Sequence, residues 1–194
     1  MTLDKKEIWS IPNIMGYFRI LLIPVYLYVY YHAEGNTGYM AAAAVVAVSG
    51  LTDMLDGKIA RRFHMVTNLG KVLDPAADKL TQYAVSISLT NRFPLMVWLV
   101  ALLFIKDIYL AVSGWYLLKK GMENTGAKWY GKVSTAAFFV LMAILLLYTG
   151  ISYFAAGILI SVCIALMLLS LVGYLIRYGK VAAELRRRRE HEGA

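Results

Sequence analysis

The sequence has little charge and almost no cysteine. Of its 194 residues only 16% are charged and 60% are hydrophobic, with a mean hydropathy of +0.60. This composition excludes an ordinary soluble domain and predicts a polytopic, all-α membrane protein. The single cysteine, Cys163, excludes an internal disulfide and, lying in an apolar run, is interpreted as a small packed residue.

The chain also lacks features that would divide or process it. Its polar start, MTLDKKEIWS, predicts that no cleavable signal peptide is present. We find no internal repeat and no linker, so residues 1–194 are predicted to form one membrane domain. Residues 1–12 mix apolar and charged side chains, which predicts an amphipathic segment lying on the membrane surface. Residues 179–194 form a basic tail.

Acidic residues are fewer than basic ones, with 12 Asp and Glu against 20 Lys and Arg and a net charge of +8. The basic residues cluster in segments between or after apolar runs, which is typical of the positive-inside rule rather than of nucleic-acid binding. We therefore expect a lipid bilayer and no nucleic acid as partner. The clusters that define the cytoplasmic side are Lys5–Lys6, Arg61–Arg62 with Lys71, Lys119–Lys120 with Lys128, and Lys180 with Arg186–Arg189.

Long apolar runs fill most of the remaining sequence. Since about 20 residues are needed to cross a bilayer, we predict six transmembrane helices. They are 13–32, 38–62, 70–91, 94–119, 130–149 and 151–178. With the charge bias above, both termini and the 53–78 region are predicted to lie on the cytoplasmic side of the cell membrane.

Four aspartates stand out in this apolar background. Asp53 and Asp56 are three residues apart, and Asp74 and Asp78 are four apart, so on helices each pair shares one face. Four carboxylates near a bilayer repel one another unless a cation lies between them, and a divalent metal is the simplest one. From charge alone three interpretations stay open: a metal enzyme, a cation pathway such as a transporter has, or structural pairing with neighbouring basic residues.

The residue types favour a magnesium-type site over zinc. Carboxylate oxygens suit Mg²⁺, which keeps positions open for water and substrate phosphates, and no cysteine or histidine lies in the cluster beyond His64 in the connection. A remaining aspartate can act as a general base toward a hydroxyl. Gly57 and Gly70 allow a nucleotide to approach closely, and Arg61 is well suited to bind a phosphate because it is a rigid, bidentate hydrogen-bond donor.

The stretch resembles the signature of the CDP-alcohol phosphatidyltransferase family, D-x-x-D-G-x-x-A-R-x8-G-x-x-x-D-x-x-x-D. Every position matches. The resemblance implies six transmembrane helices with a surface amino-terminal helix, usually in a homodimer. It also implies attack of an acceptor hydroxyl on CDP-diacylglycerol, with CMP leaving and two Mg²⁺ or Mn²⁺ ions as cofactors. The matching residues are Asp53, Asp56, Gly57, Ala60, Arg61, Gly70, Asp74 and Asp78.

The resemblance also implies roles. Asp53, Asp56 and Asp74 would mainly hold the metals, and Asp78 would complete the metal site and act as the base. The CMP-diphosphate pocket would be lined by Gly57, Ala60, Arg61 and Gly70, with Thr52 as a further candidate.

The acceptor is predicted from outside the signature. Residues 10–24 and 131–135 resemble bacterial phosphatidylglycerophosphate synthases and related cardiolipin synthases, which implies glycerol 3-phosphate, a small anionic alcohol, as acceptor. Phosphatidylglycerol is the first alternative, followed by inositol phosphate or serine. The Lys106–Asp107 pair departs from the Arg-Glu or Arg-Asp of those groups. Candidate cations for the acceptor are Arg19, Lys106, Lys128 and Lys132.

Overall fold

The structure is a computed structural model that describes residues 9–63, 65, 67, 69–120 and 129–192; for 57, 59–61, 71, 182 and 184–192 it describes the backbone alone. The described chain is helical and contains no strand, which confirms the predicted all-α class. The helices are α1 (Ile11–Tyr31), α2 (Gly35–Arg62), α3 (Gly70–Ser88), a 3-10 turn (Leu89–Asn91), α4 (Met96–Lys119), α5 (Trp129–Leu147) and α6 (Tyr153–Glu192).

Within the described residues, five helices are long and apolar enough to cross a membrane. The predicted helix 70–91 is not among them; it consists of α3 followed by the 3-10 turn. Its first half carries Lys71, Asp74, Asp78 and Lys79, which lowers its hydropathy. The five candidate spans are Ile11–Tyr31, Gly35–Asp56, Met96–Lys119, Trp129–Leu147 and Tyr153–Val181.

Two helix limits differ from the prediction for physical reasons. The turn before α2 is short because Gly35 adopts a φ of 62°, a left-handed conformation that side chains disfavour, and the helix starts there rather than at 38. At the other end of the chain, α6 continues to Glu192, so much of the predicted basic tail 179–194 extends the last helix. Of the predicted surface segment 1–12, residues 1–8 lie outside the described residues.

The described residues form two compact units, of which the first includes α1, α2, α3 and residues 142–151. Helix α1 packs against both α2 and α3. Its buried face includes Asn13, Gly16, Arg19, Tyr26 and Tyr30, spaced by three, four or seven residues, as expected for one face of a helix. This face carries the polar residues that build the site described below.

Two polar contacts hold the far ends of these helices. The Tyr26 hydroxyl lies 2.6 Å from the Ser88 hydroxyl, which joins α1 to the end of α3. Arg92 donates hydrogen bonds to the Leu145 and Thr149 carbonyl oxygens, at 3.3 and 3.1 Å, while its guanidinium lies over the Tyr39 ring. Arg92 thereby provides a partner for one carbonyl oxygen in the last turn of α5 and one in the turn that follows it.

The second unit contains α4, residues 129–141 of α5, and α6. Helices α4 and α6 pack together. The buried positions of α6 alternate spacings of four and three, the heptad pattern of two closely packed helices. These positions are Ala156, Ile160, Cys163, Met167, Ser170 and Tyr174. The burial of Cys163 confirms its interpretation as a packed residue.

Candidate active site

Five charged side chains from three helices meet in the first unit. Arg19 of α1 lies between Asp53 and Asp56 of α2 and Asp74 and Asp78 of α3. The spacings of three and four residues place each acidic pair on one helix face, and the packing of α1 against both helices brings the two faces together. We call the four aspartates the carboxylate cluster.

The guanidinium of Arg19 contacts all four carboxylates, two through each of its terminal nitrogens. Its Nη1 atom lies 2.5 Å from Oδ1 of Asp53 and 2.8 Å from Oδ1 of Asp78. Its Nη2 atom lies 2.9 Å from Oδ2 of Asp56 and 2.9 Å from Oδ1 of Asp74. Each terminal nitrogen therefore holds one carboxylate from α2 and one from α3, an arrangement that requires the planar, branched donor geometry of arginine.

The site is closed on one side and open on the other. The side chains of Arg19 and Asp56 are only 2% and 3% exposed. Those of Asp53, Asp74 and Asp78 are 42%, 41% and 54% exposed. A substrate or ion can therefore reach three of the four carboxylates, while Asp56 and the guanidinium form the floor of the site.

The carboxylate cluster carries more negative charge than its described neighbours balance. A single guanidinium can offset one of the four carboxylate charges, and the positive charge of Lys79 acts on Asp78 as well. Like charges held this close disfavour one another's ionised form unless a cation joins them. The site therefore favours binding of additional positive charge on its open side.

The chemistry of the donors fits Mg²⁺ or Mn²⁺, although the cluster is centred on arginine here. In the described part of the chain, no three carboxylate, imidazole or thiolate groups surround a common ion position. The four carboxylates surround the Arg19 guanidinium instead, each with one oxygen within 3 Å of it. Oxygen donors from several carboxylates, part of them open to water, are nonetheless the set that magnesium-type ions prefer.

A hydrogen-bonded set beside the cluster fixes the start of α3. The hydroxyl of Thr67 donates to Oδ1 of Asn13 at 2.9 Å, and the backbone N–H of Gly70 donates to the Thr67 hydroxyl at 2.9 Å. Asn13 is fully buried. A Cβ atom on Gly70 would lie 2.9 Å from both of these side-chain oxygens, so this position has no room for a side chain unless they move.

Asn13, Thr67 and Gly16 were not predicted as part of the site. A Cβ atom on Gly16 would meet the Leu73 side chain and lie 3.6 Å from Oδ1 of Asp74, so this glycine lets α1 approach α3 beside the cluster. A polar Asn13 inside an apolar helix, six residues before Arg19, was the available signal. Thr67 lies in a connection and gave no signal of its own.

The predicted nucleotide-binding residues lie next to the cluster in the chain. Gly57, Ala60 and Arg61 follow Asp56 within helix α2, but their side-chain surroundings lie outside the described residues. Thr52 is half-buried and donates its hydroxyl hydrogen to the Val48 carbonyl oxygen of its own helix at 2.8 Å. Gly70 begins α3. The pocket itself therefore stays a prediction.

The candidate acceptor cations differ widely in their surroundings. Arg19 lies inside the carboxylate cluster. Lys106 is 5% exposed within α4, and Lys132 is exposed near the start of α5, both in the second unit. Lys128 lies outside the described residues. Within the first unit, the structure places Arg19 beside the aspartates, and the acceptor role of all four candidates stays a prediction.

Comparison with known proteins decides among the interpretations left open by charge. A family model for CDP-alcohol phosphatidyltransferases matches residues 9–179, which include all five charged residues of the site. The chain belongs to the CDP-alcohol phosphatidyltransferase family. Members of this family transfer a phosphatidyl group from CDP-diacylglycerol to an alcohol, so the predicted enzyme class and a role in phospholipid biosynthesis are confirmed.

Two bacterial relatives illustrate the range within the family. The cardiolipin synthase (CMP-forming) of Streptomyces coelicolor is 33% identical over 152 residues, covering 77% of this chain and 71% of the relative. The CDP-diacylglycerol–glycerol-3-phosphate 3-phosphatidyltransferase of Escherichia coli K12 is 32% identical over 173 residues, covering 86% of this chain and 93% of the relative. The family generally uses divalent cations. The family of this chain and its several apolar helices together indicate a multi-pass membrane protein.

Proposed function

We propose that this phosphatidyltransferase uses glycerol 3-phosphate as its acceptor, forming phosphatidylglycerophosphate and releasing CMP. The convergence of four aspartates around one point, three of them open, carries the reaction type. The acceptor is supported by the Escherichia coli relative, whose match extends over 93% of its own length. The cardiolipin synthase of Streptomyces is about as similar to this chain, and it supports phosphatidylglycerol as the second candidate acceptor.

The residues of the carboxylate cluster have distinct roles in this proposal. Asp53, Asp56 and Asp74 would hold two divalent cations, Mg²⁺ or Mn²⁺, with Asp78 completing the site. When bound, these ions would neutralise the diphosphate and stabilise charge developing on its oxygens. Asp56, the most buried of the four, would anchor this set from the floor.

Asp78 is the proposed general base because it is the most exposed of the four carboxylates, at 54%. It would accept the proton of the acceptor hydroxyl as that oxygen attacks the phosphorus attached to diacylglycerol. The bond between this phosphorus and the bridging oxygen of the CMP phosphate breaks, and CMP leaves with the electron pair. Thr52, Gly57, Ala60, Arg61 and Gly70 are proposed to line the nucleotide-diphosphate pocket.

We further propose that the chain crosses the membrane six times. The sixth crossing, in addition to the five candidate spans, is α3, with its charged first half at the aqueous side. The apolar part of α2 ends at Asp56, six residues before the helix does, which supports a site at the membrane surface. The basic segments support a cytoplasmic location for the site and both termini in the cell membrane. A homodimer is proposed from family resemblance alone.

The proposal is tested by measuring CMP release from CDP-diacylglycerol by the purified protein with a panel of acceptors. We expect release with glycerol 3-phosphate and Mg²⁺ or Mn²⁺, and none after EDTA treatment. The panel also contains phosphatidylglycerol, inositol phosphate and serine. The second candidate would be right if CMP were released with phosphatidylglycerol, while the rate with glycerol 3-phosphate did not exceed the rate with water alone.

The role of Lys132 in acceptor binding can be tested separately. We expect Lys132→Ala to raise the KM for glycerol 3-phosphate by about 10-fold, because a phosphate loses one charge-assisted hydrogen bond, while the KM for CDP-diacylglycerol changes little. Lys180→Ala, which removes another exposed lysine from the same unit, is the matched control. An unchanged acceptor KM in Lys132→Ala would mean that this lysine only reaches for the membrane surface.

A further inference from the structure

The position of Arg19 raises a question that the proposed metal site does not answer. Its guanidinium lies where the four carboxylates converge, and the contacts involve one oxygen of each aspartate. Arginine keeps its charge under all ordinary conditions. The side chain is 2% exposed, so it is a packed part of the cluster rather than a mobile surface residue.

This guanidinium and a central metal ion exclude one another. A magnesium-type ion lies about 2.0–2.1 Å from its oxygen ligands. The Nη1 atom already lies 2.5 and 2.8 Å from one oxygen each of Asp53 and Asp78. An ion at the point where the four contacting oxygens converge would have to take the place of the guanidinium nitrogens, because the two positive charges repel each other. Loading the centre of the cluster therefore requires the Arg19 side chain to move.

The buried part of the cluster explains why a cation is needed before metal arrives. Asp56 is 3% exposed, and a buried carboxylate that loses its cationic partner is strongly destabilising. Arg19 is within ion-pair distance of Asp56 and three further carboxylates. It therefore allows α1, α2 and α3 to pack around this charge in the absence of metal.

We propose that Arg19 is an exchangeable counter-ion that occupies the carboxylate cluster in the metal-free enzyme and is displaced when divalent cations bind. The proposal rests on the metal site of the proposed function and adds a role for this chain's own residue. The open side, where three carboxylates are about half-exposed, is the direction in which the side chain can leave. A displaced guanidinium would be available to a substrate phosphate, which links this role to the predicted acceptor role of Arg19.

The first test uses the wild-type protein without substrates. An arginine-directed reagent, phenylglyoxal, is applied in EDTA or in saturating Mn²⁺, and the modification of each arginine is measured by peptide mass spectrometry. We expect Arg19 to react slowly in EDTA and several-fold faster in Mn²⁺. Arg92, whose contacts with the Leu145 and Thr149 carbonyls lie apart from the cluster, should react equally in both. Equal or slower modification of Arg19 in Mn²⁺ would overturn the proposal.

The second test measures Mn²⁺ binding by electron paramagnetic resonance, again without substrates. Arg19→Gln removes the competing charge, so we expect it to bind Mn²⁺ about 10-fold or more tightly than wild type, and to unfold at a lower temperature in EDTA but not in Mn²⁺. Arg19→Lys, which keeps the charge but cannot span four carboxylates, should lie between the two. Equal or weaker Mn²⁺ binding by Arg19→Gln would overturn the proposal.

The outcomes separate this inference from the proposed function. If wild type and Arg19→Gln both bind Mn²⁺ with the same affinity, the exchange role fails and the metal site stands. If neither binds Mn²⁺, the metal site fails, and the exchange role with it. If Arg19→Gln does not fold even in Mn²⁺, the phenylglyoxal reaction of the wild type decides alone.

Discussion

Asp78→Asn is expected to lower CMP release by about 10³-fold, within the range of 10²–10⁴ that a positioned general base contributes. The amide of asparagine cannot accept the proton of the acceptor hydroxyl, and it is a weaker ligand for a divalent cation. Because Asp78 is the most exposed member of the carboxylate cluster, its replacement should leave the packing of α1 against α3 intact. The measurement is the initial rate of CMP release with glycerol 3-phosphate and Mg²⁺.

The matched control for Asp78→Asn is Glu34→Gln, which removes a carboxylate charge from the exposed turn between α1 and α2. This control should retain the wild-type rate. Comparable unfolding temperatures of the two variants would show that the loss is chemical rather than structural. A rate for Asp78→Asn within a few-fold of wild type would rule out Asp78 as the base.

Gly70→Ala is expected to lower kcat/KM by about 100-fold, since a misplacement of about 1 Å can have this effect on catalysis. The added Cβ would lie 2.9 Å from both Oδ1 of Asn13 and the hydroxyl oxygen of Thr67. These two oxygens are hydrogen-bonded to each other and Asn13 is fully buried, so moving either one away from the added Cβ breaks that bond or displaces a packed side chain. We expect the start of α3 to shift as a result, and Asp74 with it. Steady-state CMP release measures the effect.

Gly50→Ala is the matched control for Gly70→Ala. It adds the same methyl group within helix α2, at a position where a Cβ would have no atom within 4 Å. Alanine is the better helix former by about 1 kcal/mol, so this variant should be as stable as wild type or slightly more stable, and fully active. Wild-type kcat/KM in Gly70→Ala would show that the start of α3 tolerates displacement.

Local sequence determined which aspartates belong together. Spacings of three and four residues act through the helical repeat, so each pair shares a helix face wherever its helix lies. The same holds for the all-α class, because apolar runs of about 20 residues favour helices in a membrane. The prediction of the family likewise needed nothing beyond the eight matching positions between Asp53 and Asp78, and the match over residues 9–179 confirms it.

Hydropathy alone predicted helix limits and membrane crossings less reliably where a helix carries charged residues. Helix α3 begins as predicted at Gly70, yet it does not qualify as a candidate span, because its first half carries four charged residues. The end of α6 was also predicted too early, at 178, since a helix can continue beyond the bilayer into a basic segment. In both cases hydropathy indicates which residues favour the bilayer, whereas the limits of a helix also depend on its backbone hydrogen bonds.

Only the tertiary structure showed that Arg19 meets the aspartates. Arg19 was predicted as a separate acceptor ligand, and a divalent metal was expected between the carboxylates. The structure joins Arg19 itself to aspartates 34–59 positions further along the chain. No local periodicity encodes such a contact, because it depends on the packing of α1 against two other helices. The same packing buries Asp56 and leaves Asp78 open, which distinguishes chemically identical carboxylates by their exposure to water.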